Sequence, residues 1–371
     1  MSNLDVKVRK VNSIETHPNA DALDLAVIGG YRAVVKRDEF NAGDLVLYVP
    51  DDTLFNDLSV AEDLGIAPYL TGKGKNRVKP IRLRGELSQG IVVPLEKLNK
   101  WLNANIGWTG TWEENADVAN LLNVEKYEEP ISIQMAGKMR PWPSFIPKYD
   151  VENIKRPESM AAVIDGEEVV VTEKLHGTNV TIGVDEDGKT WVCSRNTALQ
   201  FDLENVYWKV SRKYGLGHKV RSYQRATSTT ALGWRSDNAG VAVIMDIVPP
   251  ISLHGEIVGV QDLKYGHNGG DCGFYAFDIR VNGLFAPYDD FVKICTYYSI
   301  PMVPELYRGP YEYKTIAELA KGKTCLADGC HIREGVVAKP LFDRYDHDAG
   351  RVQFKFLNED YLLRKGGTEM H

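Results

Sequence analysis

The stretch Val171-Thr-Glu-Lys-Leu-His-Gly-Thr-Asn179 constrains the fold of this chain more than any other segment. The run from Val169 to Thr172 is rich in β-branched residues, which predicts a strand. Lys174 follows that strand, where a rigid backbone would fix its amine, and Gly177 then allows a tight turn beneath a bound ligand. We therefore predict that Lys174 is a nucleophile held at a strand end. The alternative is a solvated lysine in a surface hairpin.

The rest of the chain predicts two folded regions joined by a linker. The first hundred residues alternate short β-branched runs, among them 45–49 and 91–94, with Gly, Asp and Asn turns, which indicates a small β-barrel. From about residue 151, predicted strands, among them 273–279 and 335–338, are mixed with helices predicted within 202–213, 289–298 and 315–321. This mixture indicates an α+β domain built on antiparallel sheets. The predicted division is a first domain over residues 1–125, a linker over 126–150 and a second domain over 151–371.

Composition is that of a globular protein long enough for two domains, with 371 residues, 43% hydrophobic and 26% charged. No apolar run approaches the roughly 20 residues of a membrane span. The first ten residues lack the apolar core of a signal peptide, so we expect a cytoplasmic or a nuclear protein. Five cysteines, an odd number, favour a reducing compartment. The loosely spaced Cys325, Cys330 and His331 leave a zinc site open as an alternative.

A net charge of −7 weighs mildly against broad binding to duplex nucleic acid. One segment, from Thr71 to Arg84, is basic throughout and contains no acidic residue. Such a run suits contacts with phosphates, and the alternative is a solvated loop. We predict that its basic side chains bind nucleic-acid phosphates: Lys73, Lys75, Arg77, Lys79, Arg82 and Arg84.

Five further segments follow the Lys174 motif along the chain: Cys193-Ser-Arg-Asn196, His254-Gly-Glu-Ile-Val258, Phe274-Tyr-Ala-Phe-Asp-Ile279, Arg333-Glu-Gly-Val-Val-Ala-Lys339 and Gln353-Phe-Lys-Phe356. In kind and in order, the six segments resemble the nucleotidyltransferase motifs of ATP-dependent RNA ligases. His17-Pro-Asn-Ala-Asp21 and Arg84-Gly-Glu-Leu-Ser-Gln-Gly90 resemble the N-terminal OB-type domain of one branch, the Deinococcus-type RNA ligases. The resemblance implies an OB-type β-barrel followed by an antiparallel-sheet adenylation domain.

The resemblance implies a ligation of RNA ends that uses ATP and Mg²⁺ or Mn²⁺. Lys174 would attack the α-phosphorus of ATP and carry AMP covalently; the AMP would pass to an RNA 5′-phosphate, and a 3′-hydroxyl would then displace it. The expected partners are RNA ends, free or within a nicked duplex, with no membrane and no obligatory protein partner. The alternatives are a DNA ligase, a capping guanylyltransferase and a non-catalytic RNA-binding OB protein. His176, in place of the aspartate of DNA ligases, and the short segment after Lys355 favour the RNA ligase.

Carried over position by position, the motifs assign roles to several side chains. Glu334 would bind the metal, and Glu256 would hold the ribose or metal-bound water. Phe277 would stack on adenine with Asp278 beside it, although a strand of this pattern also suits a Phe in the core. Arg195 would bind the 5′-phosphate of the RNA or the ribose of AMP.

Lys339 and Lys355 would neutralise charge on the α-phosphate and so favour attack by Lys174. Gln353 stands where related RNA ligases often have a first lysine, so either Lys355 acts alone or the alignment is shifted by a residue or two. The complete predicted nucleotide-binding set is Glu173, His176, Gly177, Asn179, Arg195, Glu256, Phe277, Lys339 and Lys355.

Overall fold

The computed structural model describes residues 4, 6–72, 74–127, 139–149, 151–153, 162–234, 242–347 and 350–364. The chain divides into two compact units. The first contains Met1–Glu128, Glu152–Val163 and Glu359–Lys365, and the second contains Glu129–Val151, Ile164–Asn358 and Gly366–His371. Much of the predicted linker over 126–150 lies outside the described residues. No helix in the described part of the chain has the length and apolar character needed to cross a membrane.

Short antiparallel strands make up most of the first unit: β1 (Lys7–Lys10), β2 (Ser13–Thr16), β3 (Leu23–Ile28), β4 (Tyr31–Lys36), β5 (Leu45–Val49), β6 (Thr53–Phe55), β7 (Ile81–Leu83), β8 (Glu86–Ser88), β9 (Ile91–Pro94) and β10 (Val124–Lys126). They pair as β1-β5-β9, β2-β3-β4, β6-β10 and β7-β8. Val8, Leu47 and Val93 are buried in one core of this unit. The strands predicted at 45–49 and 91–94 coincide with β5 and β9.

Two helices accompany these strands, α1 (Leu58–Asp63) and α2 (Leu95–Ile106), with a short 3₁₀ turn at Ala67–Tyr69. The sequence pattern did not predict α2. Its signals are nevertheless local, because Leu98 and Leu102 are fully buried one turn apart and Gly107 ends the helix in the left-handed conformation that glycine favours.

The second unit contains two antiparallel sheets. The larger has the order β11-β16-β15-β14-β19-β20-β21, built from β11 (Met139–Arg140), β14 (Thr178–Val184), β15 (Thr190–Cys193), β16 (Ala198–Leu199), β19 (Ile251–Val258), β20 (Gly273–Val281) and β21 (Leu284–Phe285). The smaller has the order β26-β23-β13-β22, built from β13 (Glu168–Lys174), β22 (Glu305–Pro310), β23 (Gly335–Pro340) and β26 (Phe354–Leu357). The predicted α+β class with antiparallel sheets is confirmed.

Within the described residues of this unit, two ribbons and four helices accompany the sheets. The ribbons pair β17 (Thr229–Trp234) with β18 (Ala242–Ile247), and β24 (Tyr345–Asp346) with β25 (Gly350–Arg351). The helices are α3 (Val206–Lys213), α4 (Leu216–Thr227), α5 (Tyr288–Tyr297) and α6 (Tyr313–Leu319). Two remaining elements, β12 (Glu152–Asn153) and α7 (Glu359–Leu362), belong to the first unit.

Helix α3 begins later than the predicted residue 202, because the side chain of Asn205 accepts a hydrogen bond from Tyr207 N and caps the helix there. Helix α4 was not predicted. The predictions near 289–298 and 315–321 match α5 and α6. Apolar side chains of β14, β19 and β20 form the main core with those of α4 and α5, among them Ile182, Leu253 and Phe291.

Candidate active site

Lys174 is the last residue of β13, which extends two residues beyond the predicted run 169–172. It faces a carboxylate that directly precedes the neighbouring strand β23. The β13–β23 register places Lys174 opposite Gly335, directly after Glu334. Lys174 Nζ donates to Glu334 Oε1 at 2.6 Å. The Glu334 side chain is 4% exposed and that of Lys174 is 26% exposed, so the carboxylate is fixed and the amine is accessible.

The turn after Lys174 is shorter than the predicted His-Gly-Thr-Asn turn, because Thr178 and Asn179 already belong to β14. Gly177 is not in the left-handed region. Instead, a Cβ at this position would lie 2.1 Å from the carbonyl oxygen of Ile257. Gly177 is therefore required because β14 begins in close contact with β19, and not because the turn needs a positive φ.

A cavity opens between the two sheets of the second unit. Each predicted nucleotide-binding or metal-binding residue of this unit lines it: Glu173, Lys174, His176, Gly177, Asn179, Arg195, Glu256, Phe277, Glu334, Lys339 and Lys355. These residues come from β13, β23 and β26 of the smaller sheet, and from β14, β19, β20 and nearby turns of the larger one. The structure thus brings all six sequence motifs to one place.

Two carboxylates in the cavity differ in their surroundings. Burial raises the pKa of Glu256 to about 8, and the charge of Glu334 adds to this, whereas Lys174, the Gly177 N–H and Arg195 act in the opposite direction. Glu334 Oε2 is buried and has no hydrogen-bond partner among the described residues. A carboxylate must be deprotonated to bind a metal, so a cation here would bind the ionised form of Glu256 together with the unpartnered oxygen of Glu334. Such oxygen donors suit a hard divalent cation.

The described part of the chain contains no group of three or more His, Cys, Asp or Glu side chains that could hold a metal ion. The protein therefore offers two carboxylates, and water or phosphate would have to complete a metal's coordination, as is usual for Mg²⁺. The alternative zinc site finds no support, because Nε2 of His331 accepts from Tyr265 N and its Nδ1 lies 2.9 Å from Ile332 O. All five cysteines are free.

Phe277 reaches the cavity because β20 contains an extra residue. In the β19–β20 register, His254 pairs with Asp278 and Gly255 pairs with Ala276, which leaves Phe277 as the bulged residue. Its ring is half-buried and lies 4.9 Å, centroid to centroid, from that of Tyr149. The two rings form an aromatic wall against which a nucleobase can stack.

Asp278 occupies the centre of a buried charge cluster beside this wall. Its Oδ1 accepts from Lys339 Nζ at 2.6 Å, and its Oδ2 accepts from Arg351 Nη1 at 2.9 Å and from the Tyr149 hydroxyl. Burial alone would raise its pKa, but Arg351 and Lys339 hold the pKa of Asp278 well below its usual range. Lys339, predicted to face a phosphate, is thus already paired with Asp278, and burial lowers its own pKa.

Gln353 and Lys355 have separate places in this region. The Gln353 side chain is buried; its Oε1 accepts from Arg351 Nη1 at 3.2 Å and lies 2.9 Å from the Tyr149 hydroxyl oxygen. Lys355 lines the cavity. Sequence reasoning missed Tyr149 and Arg351, since the first was assigned to the linker and the second lies outside every motif.

Glu173 contributes differently from what the sequence predicts. Neighbouring residues of a strand point to opposite faces, and the carboxylate of Glu173 points away from Lys174. Its side chain is fully buried, accepts from Cys325 N at 2.8 Å and lies 3.8 Å from Arg333 Nε. A side-chain role in nucleotide binding is therefore not supported for Glu173. Arg195, half-buried in the turn after β15, lines the cavity.

The predicted phosphate-binding residues of the first unit fall into two groups. Lys75, Arg82 and Arg84 are exposed and Lys79 is half-buried, while Lys73 lies outside the described residues. The Arg77 side chain is only 9% exposed, donates to Asp52 Oδ1 at 2.6 Å and lies 3.8 Å above the Tyr127 ring. The prediction that Arg77 contacts RNA is therefore not supported, because its charge is already paired inside the unit.

Strands β7 and β8 form a hairpin with Arg84 and Gly85 at its tip. Their φ angles of 51° and 98° are those of a tight two-residue turn. His17 Nε2 lies 3.1 Å from Leu83 O, and its Nδ1 accepts from Asn19 N. The two segments that resemble an OB-type domain, 17–21 and 84–90, are therefore adjacent in space.

Two antiparallel sheets that enclose a lysine, two carboxylates and a wall of aromatic rings define an enzyme of nucleotidyl transfer. The RNA ligase family model matches residues 167–357, more than half of the 371-residue chain. The chain therefore belongs to the RNA ligase family. A model of an OB-fold domain matches residues 5–95, which confirms the OB-type fold of the first unit.

Solved structures of Naegleria gruberi RNA ligase share this fold. The structure with PPi is 24% identical in sequence, has a TM-score of 0.73 and covers 97% of this chain and 98% of that chain. A variant with AMP and Mn is 23% identical, with a TM-score of 0.74 and the same coverage. Another variant, with ATP and Mn, is 23% identical, with a TM-score of 0.73 and coverage of 96% and 98%. Among curated proteins, none matches this chain.

Proposed function

We propose that this protein is an ATP-dependent RNA ligase that seals RNA ends through AMP bound covalently to Lys174. The observation that carries the proposal is the pair formed by Lys174 Nζ and Glu334 at one end of a cavity lined by the family's motif residues. The ATP, AMP and Mn present in the Naegleria gruberi structures support the same nucleotide and a divalent metal for this chain.

In the first step, a P–N bond forms between Lys174 Nζ and the α-phosphorus of ATP while the P–O bond to pyrophosphate breaks. The amine must lose a proton, and Glu334 Oε1, at 2.6 Å, is placed to accept it. The AMP then passes to an RNA 5′-phosphate, and attack by a 3′-hydroxyl forms the new phosphodiester and releases AMP. Each step develops charge on phosphate oxygens, so fixed cations supply much of the catalysis.

Glu334 and Glu256 fit a divalent metal, because the first has an unpartnered oxygen and the second a carboxyl group that ionises near neutral pH. A metal bound there would neutralise charge on the phosphates of ATP. Phe277 and Tyr149 would hold adenine by stacking. Arg195 and Lys355 line the cavity and would bind the ribose and the phosphates.

The first unit is proposed to bind RNA through cations of the β7–β8 hairpin and the loop before it, namely the exposed Lys75, Arg82 and Arg84 and the half-buried Lys79. The ends sealed would be free RNA ends or those of a nicked duplex. The division into an OB-type domain over 1–125, a linker and an adenylation domain over 151–371 is part of this proposal. A cytoplasmic location suits five free cysteines.

Covalent labelling tests the function. The protein is incubated with α-³²P-ATP and a divalent metal, and the label on the denatured protein is measured. We expect acid-labile labelling that Lys174→Ala abolishes. Lys293→Ala, which removes a lysine whose side chain is 75% exposed on α5, should label like wild type. Labelling of Lys174→Ala would refute the mechanism, and labelling with GTP instead of ATP would indicate a capping enzyme.

A further inference from the structure

The backbone next to Lys174 is held by a segment that follows β19. Tyr265 Oη accepts a hydrogen bond from His176 N at 2.7 Å, and the amide of Gln261 donates to Gly177 O. Tyr265 and Gln261 are each 3% exposed, so both bonds are shielded from water. These contacts hold the peptide N–H of His176 and the peptide carbonyl of Gly177, both between Lys174 and β14.

Asp262 adds a third contact from the same segment, since its Oδ1 lies 2.8 Å from His176 Nε2. The His176 side chain is 4% exposed, so this pair is also largely enclosed. Residues 261–265 thus hold both the backbone and the side chain of His176. None of the three holding side chains is among the described residues that line the cavity.

Tyr265 also contacts His331, in the segment that leads to Glu334 and β23. Its ring packs edge-on against His331 with centroids 4.3 Å apart, and Tyr265 N donates to His331 Nε2 at 3.3 Å. With Nε2 accepting, Nδ1 of His331 carries the proton that it donates to Ile332 O. One residue therefore connects the turn after the nucleophile with the approach to its carboxylate partner.

The backbone of Tyr265 is strained, with a φ of 49°. Bulky residues rarely adopt the left-handed region, and such strain persists where surrounding contacts impose it. Burial also raises the pKa of Tyr265 above its usual range, so the hydroxyl stays neutral while it accepts from His176 N. The surrounding contacts therefore hold a tyrosine here although its left-handed backbone conformation is energetically unfavourable.

We propose that Gln261, Asp262 and Tyr265 form a clamp that positions Lys174 for attack on the α-phosphorus. The proposal rests on the proposed function and adds positioning residues for the first step. Displacement of a reacting group by about 1 Å can cost about 100-fold in rate. Loss of one clamp contact should therefore slow formation of the Lys174 adenylate about 10-fold to 100-fold.

The test compares the first and last steps on one preparation. Lys174 attacks only in the first step, so sealing of RNA that already carries a 5′ AMP, without ATP, does not require its nucleophilicity. Tyr265→Phe removes only the hydroxyl. We expect a fall in the maximal rate of adenylylation, little change in the ATP concentration at half-maximal rate, and sealing of AMP-capped RNA close to wild type.

Tyr311→Phe is a matched control, because Tyr311 is buried in the same unit and its hydroxyl has no hydrogen-bond partner among the described residues. It should leave both steps unchanged. Gln261→Met, which removes a different clamp contact, should reproduce the effect of Tyr265→Phe. Melting curves of all variants show whether each one folds.

Adenylylation at the wild-type rate in both clamp variants would overturn the clamp. Equal losses in adenylylation and in sealing would overturn it as well, because they would indicate a general structural role. Absence of AMP on wild-type Lys174 would refute the proposed function itself, and the clamp with it.

Discussion

Replacing Glu256 with glutamine is expected to stabilise the metal-free protein at alkaline pH while abolishing its activity. Burial raises the pKa of Glu256 from an ordinary 4.5 to about 8. Each pKa unit corresponds to about 1.4 kcal/mol, so ionising this carboxyl in the folded protein costs on the order of 5 kcal/mol. Glutamine keeps the shape and an oxygen that can accept from Gly177 N–H, but it does not ionise.

The stabilisation by Glu256→Gln is expected to increase with pH. Below about pH 4.5, Glu256 is protonated in the folded and the unfolded chain, so its ionisation does not change the free energy of unfolding. As pH rises towards 8, the unfolded chain loses this proton first, so wild-type stability falls. The gain in Glu256→Gln should thus be close to zero at acidic pH and reach a few kcal/mol above pH 8.

Urea unfolding followed by the fluorescence of the seven tryptophans measures this gain, with a chelator present to remove metal. Wild type and Glu256→Gln are compared at about pH 5 and about pH 9. An equal gain at both pH values, or a loss at the higher one, would contradict the reasoning. Covalent labelling with ATP should be at least about 100-fold slower in the variant, since a preorganised charge contact is lost.

Three further outcomes are expected. Asp278→Ala removes the carboxylate that pairs with buried Lys339 and one of the two carboxylates that pair with Arg351, so it should lower the free energy of unfolding by about 3–5 kcal/mol in the same urea assay; a loss below about 1 kcal/mol would contradict the cluster's importance. Exchange of Arg82 and Arg84 for glutamine should weaken sealing but not adenylylation, and should make RNA binding less salt-dependent; equal losses in both steps would rule out an RNA-specific role. Lys355→Ala should slow adenylylation about 100-fold, and near-normal activity there with a crippled Gln353→Ala would show that the last motif is misaligned.

Features set by local spacing could be predicted from the sequence. The β-branched run before Lys174 predicted a strand at 169–172, which lies within β13. The strands predicted at 273–279 and 335–338 lie within β20 and β23. The order of the motifs predicted one shared site, because side chains at several strand ends and edges meet when antiparallel sheets enclose a ligand. The cavity lining follows that prediction closely.

Features that depend on distant partners could not be predicted. The bulge at Phe277 exists only in relation to β19, and Tyr149 bonds to Asp278 across 129 residues. The same holds for Arg77, whose basic neighbours suggested phosphate binding until Asp52 was found beside it. Helix α2 is a different case, since its local spacing was present and was obscured by the irregular stretch that follows it.

Lys174 and Glu334, 2.6 Å apart in space, are 160 residues apart along the chain. No short stretch of sequence can therefore assemble the reacting pair, and their approach requires a large loop to close, which is a slow event in folding. A chain emerging from the ribosome contains the nucleophile long before it contains the partner carboxylate. Formation of the covalent adenylate should accordingly report completed folding of the second unit, and a nascent chain that ends before β23 holds a lysine that cannot yet react.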